Sequence, residues 1–134
     1  MYTIIYVSTC DPNLSSSDRK SLFETSKDNS DQKGVTGIFI YSDGNFFQIL
    51  EGDKAILKSI YHKIEADSRH YNNIKLADKE VKNSFFQDYK NFFTVIQDKS
   101  NITDVYNFLQ REKEYNPAAY ESIAYQVQKF MPLI

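Results

Sequence analysis

At 134 residues, 41% of them hydrophobic, the chain is long enough for one packed core and too short for two independent ones. Its 16 lysines and arginines are dispersed against 18 acidic residues, a net charge of −2, which excludes the basic stripe of a nucleic-acid binder. A single cysteine, Cys10, excludes an internal disulfide framework, and the apolar run in "MYTIIYVSTCD" is too short for a signal peptide or a spanning helix, so the expectation is a cytoplasmic protein without a membrane or nucleic-acid partner.

The first predicted element is a strand, Tyr2 to Ser8, with Thr3, Ile5 and Val7 on one face and Ile4, Tyr6 and Ser8 on the other. "TCDPNLSSSD" ends it, and Ser15 followed by Asp18 resembles a capping box. Leu22, Phe23 and Ser26 then give a helix to about Asp28, closed by "NSDQKG" with Gly34 in the turn. "VTGIFIYS" and "NFFQILEG" flank Asp43–Gly44, a strong hairpin signal. Asp53 caps a second helix whose apolar stripe is Ile56, Leu57, Ile60, Tyr61 and Ile64, and "DSRHYNN" ends it. "IKLADKEV" gives a fourth strand and "NFFTVIQ" a fifth.

This order predicts an α+β fold, a ferredoxin-like βαββαββ sheet with two helices on one face. Residues 98–134 are expected to add two C-terminal helices to the 1–97 core, one over "NITDVYNFLQREKE" and one opened by Asn116–Pro117. The apolar face of the last, Tyr120, Ile123, Ala124, Val127, Phe130 and Met131, must be buried on the free sheet face or on a second subunit.

No Walker loop, dinucleotide fingerprint, nucleophile elbow or paired-cysteine metal spacing is present. His62 and His70 lie eight apart and read as surface residues, Cys10 has no neighbouring cation to activate it, and Asp78 and Glu80 read as an exposed strand face. Three features remain. Tyr6 and Gln48 are polar groups inside apolar strands that a ferredoxin-like sheet makes neighbours, and Asn29–Ser30 closes the first helix beside that sheet. A structural polar network and a ligand site fit this pattern about equally.

The combination of Tyr6, Asn29, "GVTGIFIYSDGNFFQILEG" and "IEADSRH" resembles the BLUF family, blue-light sensors that use a flavin, and the resemblance covers about residues 1–97. It implies a flavin held between the two helices and the sheet, FAD with FMN or riboflavin as alternatives. Tyr6 is implied as the redox tyrosine and Gln48 as the amide bridging it to the ring. An amide suits that role because donor and acceptor on one group can exchange places. Asn29, Ser30, Leu50, Asp67, Arg69 and His70 are implied as further flavin-binding residues. Leu22 and Phe46 are expected toward the ring and Phe47 in the core.

Ser30 stands where the family usually has asparagine, with Asn29 placed to compensate. Tyr89 and Asn91 stand at the family's tryptophan and methionine positions on the fifth strand, through which signal output is implied to pass to the terminal helices. The resemblance implies a photoreceptor and not an enzyme. It also implies a separate downstream signalling protein and a homo-oligomer. The competing expectation, favoured by Ser30 and Asn91, is a BLUF-like scaffold without a working photocycle that serves as a light-independent interaction module.

Overall fold

A computed structural model describes residues 1–42, 44–82 and 93–96, and beyond these 107, 109–111, 113, 114, 117, 120, 121 and 124. The elements are β1 (Tyr2–Cys10), α1 (Ser16–Gln32), β2 (Thr36–Ser42), β3 (Asn45–Gly52), α2 (Lys54–Glu65), β4 (His70–Glu80) and β5 (Phe93–Ile96). The sheet order is β4-β1-β3-β2-β5. Four strands pair antiparallel, and β5 joins β2 in parallel at the far edge. This is the predicted ferredoxin-like arrangement, with β1 and β3 adjacent.

Side-chain alternation sorts the sheet into two faces. Tyr2, Ile4, Tyr6, Phe39, Phe46 and Leu50 pack with Phe23 of α1 and Leu57, Ile60 and Tyr61 of α2. Phe23, Phe39 and Phe46 meet pairwise at 4.8–6.0 Å between centroids, anchoring α1 on the sheet. On the opposite face Ile5, Ile38, Ile40, Phe47 and Ile49 are buried as well. Helical residues are described between 107 and 124, and Leu109 and Ala124 among them are buried. Of the apolar face foreseen for the last helix, Ile123, Val127, Phe130 and Met131 lie outside the described residues.

Three boundaries differ from the sequence-based expectation, each because tertiary contacts outweigh local propensity. β1 runs two residues further, since Thr9 pairs with both Asn45 and Tyr71, and Cys10 with His70. α1 continues to Gln32, so Asn29 and Ser30 lie in its last turn; a Lys27–Asp31 ion pair at 2.8 Å supports that turn. β4 starts at His70, not Ile74, because β1 supplies the ladder that the polar run "HYNN" would not form alone.

β4 carries two register shifts against β1, one between Ile5 and Tyr6 and one between Val7 and Thr9. At the second, Asn72 and Asn73 together oppose Ser8, and Asn72 takes the left-handed conformation (φ 52°) that asparagine tolerates.

Candidate functional site

Tyr6 on β1 and Gln48 on β3 are direct cross-strand partners, and both are almost wholly buried at 2% and 3% exposure. The Tyr6 hydroxyl donates to Gln48 Oε1. Burial holds the phenol well above its ordinary pKa, and the neighbouring Tyr61 and Asp67 push it further. The tyrosine is therefore neutral and protonated at any physiological pH.

This pair lines a partly open cavity between the sheet and the two helices. Leu22 and Ser26 of α1, Phe39 of β2, Phe46 of β3 and Ile64 of α2 give it mainly apolar walls. Asp67, Arg69 and His70, in the turn into β4, complete the rim. The Gln48 amide lines the cavity beside its bond to Tyr6, where it can meet a ligand.

The rim is organised by bonds among its own residues. Arg69 donates through Nε (2.9 Å) and Nη2 (2.5 Å) to the Asp67 carboxylate, and its backbone N–H does so at 3.0 Å. These bonds from Arg69 hold the Asp67 carboxyl below its usual range. His70 bridges two elements, with Nδ1 2.8 Å from Ser8 Oγ and Nε2 2.5 Å from the Ile64 carbonyl. A carbonyl can only accept, so Nε2 carries a proton and donates it, while Nδ1 pairs with the Ser8 hydroxyl. Both nitrogens being committed, His70 offers the cavity its ring and not a hydrogen-bond donor.

The structure thus gathers Tyr6, Gln48, Asp67, Arg69 and His70, together with Leu22 and Phe46, around one space. Leu50 is fully buried in the core opposite Ile4 and is not among the lining residues. Asn29 and Ser30 do not line the cavity either; Ser30 is buried, and its carbonyl accepts from Val35 N–H at 2.9 Å. Tyr89 and Asn91 lie outside the described residues. Ser26, Phe39 and Ile64 were not singled out from sequence as site residues. Phe39 was accessible in principle, because hairpin register sets it directly across from Gln48.

The model of the family described as BLUF, sensors of blue-light using FAD, matches residues 1–91. The blue light- and temperature-regulated antirepressor BluF of Escherichia coli (strain K12) is 47% identical over 45 residues, 34% of this chain and 11% of that protein. The photoactivated adenylate cyclase subunit beta of Euglena longa is 34% identical over 68 residues, 51% of this chain and 8% of that one. The chain therefore spans about a tenth of the length of these curated relatives. Among solved structures, the BlsA photo-activated state matches with a TM-score of 0.65 at 26% identity, covering 87% of this chain and 83% of that one.

Proposed function

Because this chain belongs to the BLUF family, sensors of blue-light using FAD, we propose that its cavity holds the isoalloxazine ring and that Tyr6 and Gln48 form its light-driven switch. The observation that carries this reading is the buried Tyr6–Gln48 hydrogen bond at the edge of an unusually lined cavity. An isoalloxazine has an apolar half and a polar edge of carbonyls and ring nitrogens. Leu22, Phe39, Phe46 and Ile64 match the first, and the Gln48 amide, Ser26 and the Arg69 guanidinium match the second. FAD is the form in the family's description, and FMN and riboflavin carry the same ring.

The bound ring, excited by blue light, supplies a one-electron oxidant and a proton acceptor. Tyr6 gives up an electron, and the oxidised phenol becomes a strong acid whose proton leaves along its bond to Gln48 Oε1. Burial matters here because it excludes water that would compete for that bond. Gln48 then exchanges its donor and acceptor ends, and Tyr6 recovers its electron and proton against a turned amide. Asp67 and Arg69 act as a preset, charge-neutral clamp at the rim. His70, tied to Ser8 and Ile64, keeps the β1 and α2 walls together.

This is a sensing role without substrate turnover. The change leaves the site through Tyr89 and Asn91, ahead of β5 in the chain, and through residues 98–134, which pass it to a separate signalling protein or a second copy of the chain. Asn29 and Ser30 act from the end of α1, through its last turn. No described helix is long and apolar enough to cross a membrane, and a lone thiol, Cys10, suits the reducing cytoplasm.

The deciding experiment is the absorption spectrum of the purified chain in darkness and after blue light. A flavin band that shifts to the red and relaxes in the dark is expected, and is expected to be lost in Tyr6→Phe. A full shift in Tyr6→Phe would remove Tyr6 from the switch.

A further inference from the structure

Tyr61 is a second phenol packed against the switch. It is buried on α2, and its ring meets the Tyr6 ring edge-on, 5.6 Å between centroids at 61°. Its hydroxyl donates to Asn73 Oδ1 at 2.5 Å, and Lys75 Nζ lies 4.8 Å from its ring centroid. Both partners belong to β4. Lys75 is the cross-strand neighbour of Tyr6 itself, and Asn73 sits in the bulge opposite Ser8.

The ring is thus fixed at its tip, on its face and along its edge. Tyr6 is held at its tip by one hydrogen bond to Gln48, and its ring is set by its neighbours in the core, Tyr61 and, at 6.3 Å between centroids, His70. The bond at the tip depends on the tilt of that ring, since hydrogen-bond strength falls steeply with angle and distance. Among the described residues Asn73 Nδ2 is buried without a partner, and the Tyr61 hydroxyl is what pairs and orients that amide.

We propose that Tyr61 is a positioning residue for the Tyr6–Gln48 hydrogen bond: tethered to β4 through Asn73 and Lys75, it holds the Tyr6 ring at the tilt that keeps its hydroxyl on Gln48 Oε1. This rests on the role of Tyr6 proposed above. Through the edge-on contact the Tyr61 hydroxyl, which is not on the cavity lining, governs the geometry of the one that is.

The test uses the full chain loaded with flavin, in two variants. Tyr61→Phe keeps the ring and cuts the tether, and Asn73→Ala cuts it from the other end. One readout is the proton NMR resonance of the Tyr6 hydroxyl in the dark state, assigned by its loss in Tyr6→Phe. The other is the rate at which the red-shifted state relaxes in the dark.

Both variants are expected to move the resonance upfield and to change the relaxation rate about tenfold, since a small misplacement of a reacting group has effects of this order or larger. A lowered melting temperature with resonance and relaxation unchanged would mean that Tyr61 serves only the fold, and would overturn the proposal. If Asn73→Ala does not fold, Tyr61→Phe, which keeps every ring contact, carries the test alone. Retention of the red shift in Tyr6→Phe, where Tyr61 and Asn73 are intact, would instead sink the reading of Tyr6 and this inference with it.

Discussion

Gln48 is the residue on which site and stability converge. Its Oε1 is the partner of a phenol buried at 2% exposure, so Gln48→Leu would leave that hydroxyl unpaired. The expected cost is about 1–3 kcal/mol of unfolding free energy, read as a lower urea midpoint, together with loss of the light-induced shift. Gly37 is equally constrained for a different reason: φ is 151°, and an added Cβ would come within 1.9 Å of the Ile49 carbonyl oxygen. Gly37→Ala should therefore destabilise by about 3 kcal/mol or more, because neither β2 nor β3 backbone can give way. The element order, by predicting a ferredoxin-like sheet with the first and third strands adjacent, made Tyr6 and Gln48 neighbours, and that much was legible from sequence. The commitments of His70 were not, because they join Ser8 beside a bulge to a carbonyl near the end of α2, and no periodicity encodes either.

At the scale of elements, the two helices owe their starts to single side chains. Ser15 Oγ accepts from Asp18 N–H at 3.0 Å, and Asp53 Oδ2 accepts from Ile56 N–H at 3.1 Å. Asp53→Ala should cost about 1 kcal/mol, measured by chemical denaturation, and leave the spectrum of the bound flavin intact because the cap lies at the opposite end of α2 from Ile64. Both caps, the β2–β3 hairpin and the stripe of α2 were readable because each is a local signal of a few residues. The first four residues of β4 were not, because "HYNN" is a poor strand on its own and becomes one only against β1. The last turn of α1 was missed similarly: Asn29 and Ser30, expected to close the first helix beside the sheet, lie within its final turn, where the Ser30 carbonyl serves Val35.

Across the whole molecule, Asp78 joins three elements. It accepts from the Tyr2 hydroxyl of β1, from Lys58 of α2 at 2.7 Å and from Lys75 of β4 at 2.7 Å. The bonds from Lys58, then Lys75 and Tyr2, hold its carboxyl far below the usual value of 3.8. Since the folded state keeps this group ionised to lower pH than the unfolded chain does, its contribution is complete at neutral pH and is lost as pH falls below about 4. Asp67, also depressed, acts in the same direction. Unfolding midpoints followed from neutral to acid pH should fall, and Asp78→Asn should lower the neutral value while flattening that decline. No such link between the first strand, the second helix and the edge strand is visible in the sequence, where Tyr2 and Asp78 stand 76 positions apart.

The two irregularities in β4 also bear on how the protein behaves in a crowded solution. β4 ends the sheet, and it exposes Tyr71, Ile74 and Leu76. A straight, eleven-residue apolar border of this kind would template strand addition by other chains and seed aggregates. Doubling of residues at Asn72–Asn73 and near Leu76 breaks the even spacing of outward amides and carbonyls, and Lys75 and Lys79 put charge beside the gaps. The same distortion that sets Asn73 against Tyr61 thereby works against strand addition along this edge.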